Sequence, residues 1–192
     1  MIGRKEFYEI AGVSQHSEFE KYLSDLIFTK APREDFYREI MARGADFETD
    51  TFRNYFEEYS AERKSNMQDY TPDALAILLA NLANGSGEEK YSAYDPTAGT
   101  GALLIQKWVV DGKSDERLYR ADELADNAIP YLLHNLAMRG INADVVHGNV
   151  LTREVKTVYR LRAQIIEFSI ISKYPRNDET MKDFKITRWK EE

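Results

Sequence analysis

The chain contains no cysteine, which excludes disulfide bonds, thiolate metal ligands and cysteine nucleophiles. No apolar run approaches the roughly 20 residues that a helix needs to span a bilayer, and the first residues include no apolar stretch typical of a signal peptide. The 3 histidines are scattered, without the spacing of metal ligands. These absences favour a cytoplasmic globular protein that has no membrane segment and no bound metal.

The chain contains enough hydrophobic residues to form one core. Hydrophobic residues make up 43% and aromatic residues 12% of the 192 residues, which suits a single domain or slightly more. The net charge of −7 argues against a protein that coats polyanions through bulk charge. That balance is typical of an ordinary soluble protein.

The charge is unevenly distributed along the chain. Residues 1–151 carry 16 basic and 26 acidic side chains, and residues 152–192 carry 10 basic and 7 acidic ones, for net charges of −10 and +3. Random variation on a solvated surface explains the difference, but the tail could also have a different origin or partner. Its basic residues, among them Arg153 and Arg160, could contact a phosphate backbone, although a solvated face is the simpler interpretation.

Residues 1–68 are predicted to form a helical segment, because apolar residues recur there at helical spacing. One helix is expected after Ser17 as its cap, and another from about Pro32 to Gly44. A third is expected from Thr51 to about Arg63. The aromatic residues of this third helix share one face, which favours core packing over a cofactor site.

Residues 69–192 show a different pattern, in which short β-like runs alternate with helices. Strands are predicted at 90–94, 117–122 and 144–147, and helices at 74–84, 102–110 and 126–139. Strand, helix, strand, helix, strand at these lengths predicts an α/β fold with a parallel sheet covered by helices. From about residue 152 the tail departs from this pattern.

A loop of small residues, Asp95-Pro-Thr-Ala-Gly-Thr-Gly101, lies between the first predicted strand and the next helix. Gly99 and Gly101 have no side chain, so a ligand can approach the backbone there. The N–H groups at the start of the following helix favour a carboxylate or phosphate. Asp95 can accept hydrogen bonds from a ligand ammonium or hydroxyl group. A Gly-x-Gly sequence by itself is weak evidence, since many turns need glycine.

The acidic residue Glu123 strengthens the interpretation of this loop. It follows the second predicted strand, where nucleotide-binding βαβ units place the side chain that receives ribose hydroxyls. The phosphate-loop sequence is absent, because Ala102 and Leu103 follow Gly101, and the dinucleotide fingerprint is incomplete, because position 104 is Leu104. A nucleoside-bearing ligand without a pyrophosphate, such as S-adenosylmethionine, fits best, and an NAD-type oxidoreductase fits poorly.

Four motifs in this order resemble the N6-adenine DNA methyltransferases. They are Tyr70-Thr-Pro72, the loop from Asp95 to Leu104, Ala121-Asp-Glu123 and Gly148-Asn149. The likeness is greatest to a truncated modification subunit of type I restriction-modification systems, and it covers roughly residues 49–151. It implies a Rossmann-like, S-adenosylmethionine-dependent methyltransferase core and methyl transfer to adenine in DNA.

The resemblance also implies which residues bind the cofactor. Thr71 with Pro72 would hold the methionine carboxylate, and Asp95 with its loop would cradle the methionine moiety. Glu123 would take the ribose hydroxyls, Leu124 would pack against the adenine, and Asn149 would accept from the adenine amino group. The complete set is Tyr70, Thr71, Pro72, Asp95, Pro96, Thr97, Ala98, Gly99, Thr100, Gly101, Glu123, Leu124 and Asn149.

The family's catalytic motif, Asn/Asp-Pro-Pro-Tyr/Phe, is missing, since the chain contains no two adjacent prolines. That motif holds the amino group of the flipped adenine and stacks an aromatic ring on the base. The nearest counterpart is Ser172-Lys-Tyr174-Pro175, which follows a strand-like run at 165–171. We therefore name Ser172, Tyr174 and Pro175 as a degenerate catalytic position.

Three hypotheses follow from the missing motif. The first is a cofactor-binding domain of the adenine methyltransferase family, and the second is a non-catalytic interaction or regulatory protein derived from that family. The third is a fragment that lacks its catalytic half. The resemblance implies DNA as a partner, reached through other domains or subunits, together with a modification or specificity subunit or a second copy of the chain.

Overall fold

A computed structural model describes residues 2–60, 73–82, 90–164, 167–186 and 189–191. The helices are α1 Arg4–Ala11, α2 His16–Leu26, α3 Lys30–Ala42, α4 Arg53–Tyr55 with a π-helical continuation over Phe56–Ser60, α5 Asp73–Leu82, α6 Ala102–Val110, α7 Ile129–Ala137 and α8 Asp178–Asp183. The strands are β1 Ala93–Asp95, β2 Leu118–Glu123, β3 Asn142–Asn149, β4 Glu154–Gln164, β5 Glu167–Tyr174 and β6 Lys190–Glu191.

The strands form one mixed sheet in the order β1-β2-β3-β4-β5, and β6 pairs with the beginning of β4. β1, β2 and β3 are parallel and are joined by α6 and α7. β4 and β5 continue the sheet as antiparallel strands. The predicted α/β class and Rossmann-like βαβαβ unit are therefore confirmed, and the tail adds an antiparallel meander that the sequence pattern did not predict.

Local signals located the helices of the βαβαβ unit well. α6 has the predicted bounds, and α7 lies inside its predicted range with a proline in its first turn. The predicted cap at Ser17 is wrong, because α2 begins at His16 with Gln15 as its N-cap. The Glu18 carboxylate accepts from the backbone N–H groups of Ser14 and Gln15, at 2.9 and 3.1 Å, and so stabilises an earlier start.

The N-terminal helices pack on α7 and share one hydrophobic core with it. The rings of Phe52 and Phe56 contact Tyr131 of α7 edge-on, with ring centroids 5.6 and 5.0 Å apart. Phe7 and Phe19 lie in the same buried cluster. A domain boundary near residue 68 stays a prediction, and the described residues on both sides of it form a continuous core. Among these described ranges, no helix is long and apolar enough to cross a membrane.

The two faces of the sheet have different surroundings. Because side chains alternate along a strand, Tyr119 and Ala121 of β2 face the core shared with the helices. Arg120 and Asp122 face the other way, where Arg120 Nη1 donates to the Phe184 carbonyl at 2.7 Å. This second face is partly covered by α8 and the residues after it. The same alternation places the side chains of Asp122 and Glu123 on opposite faces of the sheet, as expected for neighbouring residues of one strand.

His134 of α7 is fully buried in the shared core. Its Nδ1 lies 2.6 Å from the Tyr37 hydroxyl, and its Nε2 lies 2.8 Å from the Leu23 carbonyl oxygen. Because a carbonyl only accepts, Nε2 carries the proton in the neutral ring, and Nδ1 accepts from Tyr37. Burial lowers the pKa of His134 to about 4. His134 is therefore a satisfied core histidine.

We expect His134 to make the fold sensitive to mild acid. Its pKa is depressed in the folded state, so its contribution to stability is complete above the unfolded value of about 6.5 and is lost as the pH falls towards 4. A shift of this size corresponds to a loss of about 3 kcal/mol. Urea denaturation of the wild type and His134→Gln at pH 7 and pH 4.5 measures it. Equal pH dependence in the two proteins would contradict the assignment.

Candidate functional site

The loop from Asp95 to Gly101 connects the carboxyl end of β1 to α6. Gly99 and Gly101 have φ angles of 55° and 99°, a conformation that L side chains rarely adopt. A Cβ atom on Gly101 would lie 2.9 Å from Leu132 Cδ1, whereas one on Gly99 would meet nothing within 4 Å. Gly101 is therefore required for packing against α7, and Gly99 leaves the backbone open to a ligand.

Glu123 ties this loop to the carboxyl end of β2. Its Oε2 accepts from the Gly99 N–H at 2.7 Å, and its Oε1 accepts from the Ala125 N–H at 2.7 Å. The Ala98 N–H donates to the Asp122 carbonyl oxygen at 3.0 Å. The loop is thus preorganised by β2, and the structure brings the predicted residues Gly99 and Glu123 into direct contact.

Asp95 ends β1 and is buried, with 6% of its surface exposed. Its Oδ1 accepts from the Thr97 N–H at 3.1 Å, but among the described residues its Oδ2 has no hydrogen-bond partner. Burial raises the pKa of Asp95, and repulsion from Glu123 and Asp122 raises it further against the Thr97 hydrogen bond. A buried carboxylate oxygen without a donor suits a cationic donor such as an ammonium group.

A network of buried hydrogen bonds stabilises the loop from Asp95 to Gly101. The Thr100 hydroxyl donates to Asp50, and Asn135 Nδ2 donates to Asp50 Oδ1 at 2.6 Å and to the Thr100 carbonyl at 2.9 Å. Burial raises the pKa of Asp50 and lowers that of the neighbouring Arg139 to about 10. Sequence reasoning missed Asp50, Asn135 and Arg139, and no local pattern identifies them, because their partners lie far away in the chain.

The remaining predicted cofactor residues have varied positions. Pro96, Thr97 and Ala98 belong to the loop after β1, and Leu124 follows β2 with 48% of its surface exposed. Asn149 ends β3, where its Oδ1 accepts from the Leu151 and Thr152 N–H groups at 3.0 and 3.1 Å. It therefore caps the turn between β3 and β4, and its contact with a cofactor adenine stays a prediction. Tyr70, Thr71 and Pro72 lie outside the described residues.

The degenerate catalytic position lies far from the loop. Ser172 and Tyr174 belong to β5, and Pro175 follows it. Four inter-strand steps separate β1 from β5, a distance of roughly 19 Å at about 4.8 Å per step. Tyr174 packs against Phe184 with ring centroids 5.5 Å apart. The structure does not bring these residues to the loop that ends in Gly101.

A cavity of about 230 Å³ lies at the carboxyl ends of β2 and β3. Its lining includes Tyr94, Arg120, Asp122, Asn149, Arg153 and Lys185. Of the predicted cofactor residues that the structure describes, only Asn149 lines it. Within the described ranges, no group of three histidine or carboxylate side chains is placed to hold a metal ion.

Parallel strands joined by helices on one face, with a glycine loop and an acidic residue at their carboxyl ends, define a Rossmann-like α/β domain. The chain belongs to the N-6 DNA methylase family, whose model matches residues 44–190. It is thus a DNA adenine methyltransferase-like domain. The match includes the tail after residue 152, which the sequence motifs left unassigned. Comparisons with curated proteins and with solved structures found no match.

Proposed function

We propose that this domain binds S-adenosylmethionine at the carboxyl ends of β1 and β2, in a methylation system that modifies adenine in DNA. The observation that carries the proposal is the buried Asp95 carboxylate, whose Oδ2 is without a donor among the described residues. It lies beside a loop that Glu123 holds in place through the Gly99 N–H. The ammonium group of the methionine moiety supplies the missing donor. A cytoplasmic restriction-modification role belongs to the same proposal.

The residues present fit this cofactor. Asp95 would bind the ammonium group, Gly99 would let the ligand lie against the backbone, and Glu123 would accept from the ribose hydroxyls through its remaining lone pairs. The first N–H groups of α6 favour the methionine carboxylate. When bound, S-adenosylmethionine supplies an activated methyl group, and the chain's own residues position it and exclude water.

Calorimetric titration with S-adenosylmethionine and S-adenosylhomocysteine tests the proposal. We expect saturable heat from both ligands and none from NAD, since the loop lacks the third glycine of a pyrophosphate site. The absence of heat at millimolar concentrations of both S-adenosyl ligands would contradict the proposal. Heat from NAD alone would instead favour a dinucleotide-binding protein.

A second candidate function is that of a non-catalytic interaction or regulatory protein that acts on a modification-subunit partner. The separation of Ser172 and Tyr174 from β1 by three intervening strands supports it. Transfer of a labelled methyl group to unmethylated DNA distinguishes the two functions. We expect no incorporation by the chain alone, and robust incorporation at adenine would rule out this second candidate.

A further inference from the structure

The cavity between β2, β3 and the residues after α8 has buried polar side chains at its base, and their charges balance. Arg120 and Asp122 are buried there, at 7% and 6% exposure. Arg120 Nε donates to Asp122 Oδ1 at 2.5 Å, and the Tyr94 hydroxyl donates to Asp122 Oδ2 at 3.0 Å. The charges of Arg120 and Asp122 therefore cancel. Arg120 Cζ lies over the Tyr94 ring, 5.7 Å from its centroid, and Tyr94 as a whole is 50% exposed, so part of its aromatic surface stays open to the cavity.

Two cations at the rim of this cavity have no partner among the residues that the structure describes. Arg153 and Lys185 line it, and their side chains make no ion pair or hydrogen bond with the described residues. Most other basic side chains of the described ranges have an acidic or backbone partner, in a chain with 33 acidic residues. Two cations that line one cavity and lack a partner among the described residues provide a place for an anion.

The backbone conformation of these two residues is unusual. Among the described residues, only Lys113, Arg153 and Lys185 are non-glycine residues with positive φ, at 58°, 67° and 53°. Left-handed backbone is disfavoured for long L side chains, and strained residues cluster where ligands bind. Two of these three residues converge on one cavity, which is an observation independent of their charge.

The size and the walls of the cavity indicate what it holds. Its volume of about 230 Å³ is below the roughly 300–1,000 Å³ of sites that enclose a whole drug-sized ligand. Val146, Val150, Val155 and Ile186 contribute apolar surface. Apolar walls, one exposed tyrosine ring and two cations at the rim match a single flat base with a phosphate attached.

We propose that this cavity binds one nucleotide of a DNA strand, with the base against Tyr94 and a neighbouring phosphate on Arg153 and Lys185. The proposal rests on the proposed function, because that function supplies DNA as the substrate. The cavity does not include the cofactor loop, since Asp95, Gly99 and Glu123 do not line it, and Asn149 is the one described member of the predicted cofactor set that does. It gives this acidic domain a local DNA contact of its own.

The test uses glycine substitutions, because glycine removes the cation and relieves the left-handed backbone. We expect Arg153→Gly and Lys185→Gly each to weaken binding of a short single-stranded oligodeoxyadenylate at least tenfold. The slope of log affinity against log salt should fall by about 1 for each phosphate contact removed. The melting temperature should stay equal or rise. Lys113→Gly is the matched control, since Lys113 is also left-handed but lies outside the cavity and pairs with Glu48.

Four further measurements make the proposal falsifiable. Deoxyadenosine monophosphate should bind more tightly than deoxyadenosine, and the amide resonances of Val146 and Lys185 should move on titration. S-adenosylhomocysteine should bind the two glycine variants as it binds the wild type, and should not displace the oligonucleotide. Displacement, or oligonucleotide affinity unchanged in both variants, would overturn the proposal. If the wild type binds DNA at this cavity but not S-adenosylhomocysteine, the proposed function fails while the nucleotide site stands.

Discussion

Replacing Gly99 with asparagine is expected to abolish S-adenosylhomocysteine binding while leaving the domain folded. Gly99 has a φ of 55° and open space where a side chain would project. Asparagine tolerates this conformation better than other residues, so the loss of stability should stay near 1 kcal/mol or below. The new side chain would occupy the space in which the ligand approaches the backbone. Calorimetry measures the affinity, and urea denaturation measures the stability.

Gly12→Asn is the matched control for this substitution. Gly12 has a φ of 67°, also with nothing within 4 Å of the added Cβ, but it ends α1 and lies away from the loop. It should lose a similar amount of stability and keep its affinity for the ligand. Gly101 is unsuitable for this comparison, because its Cβ would clash with Leu132. Wild-type affinity in Gly99→Asn would show that the ligand does not approach the loop.

Features of the site that depend on local sequence were predictable. The small residues between a β-like run and a helix located the loop, and the observed start of α6 at Ala102 is the predicted one. The positive φ angles at Gly99 and Gly101 follow from the same pattern. An acidic residue after the next strand was expected near this loop, and Glu123 contacts it through the Gly99 N–H. Each of these signals spans only a few residues.

Features that depend on distant partners were not predictable. The Thr100 side chain hydrogen-bonds to Asp50, which lies 50 positions away, and no sequence period encodes such a pairing. The strand at β5 was anticipated from its apolar residues, but its place beside β4 follows from antiparallel pairing that periodicity does not specify. For that reason the distance of Ser172 and Tyr174 from the loop could not be judged from the sequence.

The uneven charge of the chain also has a structural explanation. Several basic residues of the tail pair with acidic residues of the body. Arg160 Nε donates to Asp144 Oδ1 at 2.7 Å, and Lys156 Nζ donates to Asp126 Oδ1 at 3.1 Å. Part of the tail's positive charge, on Lys156, Arg160 and Arg162, is thus neutralised within the domain. Arg153 and Lys185 have no acidic partner among the described residues, and both line the same cavity.

Asp95→Asn is expected to weaken S-adenosylhomocysteine binding by a factor of roughly 30 or more, because removing one partner of a buried charge pair commonly loses 2–5 kcal/mol. The same substitution should raise the melting temperature at neutral pH. Burial raises the pKa of Asp95, so its charged form is disfavoured in the folded protein. An amide of nearly the same shape carries no such charge. Loss of affinity together with a gain of stability separates a ligand-binding residue from a structural one.

The pH dependence of stability and of ligand binding follows from the raised pKa of Asp95. Because the folded pKa of Asp95 lies above its ordinary value, its contribution to stability is complete below the unfolded pKa and is lost as the pH rises through the folded pKa. The stability advantage of Asp95→Asn should therefore vanish in acid and grow towards neutral pH. In the wild type, affinity for the ammonium-bearing ligand should increase as the pH rises, because binding needs the carboxylate of Asp95. In Asp95→Asn this pH dependence should be lost.

Asp144→Asn is a control for which we expect the opposite result, a loss of stability with the ligand affinity kept. Burial alone would raise the pKa of Asp144, but hydrogen bonds and charge from Arg160, with Tyr91 and Lys90, lower it below its ordinary value. The substitution leaves Arg160 with one fewer partner and should destabilise the fold by roughly 2 kcal/mol or more, while affinity for S-adenosylhomocysteine is kept. If Asp95→Asn also destabilised the protein at neutral pH, Asp95 would be a structural residue, and the assignment of the ammonium site to it would be wrong.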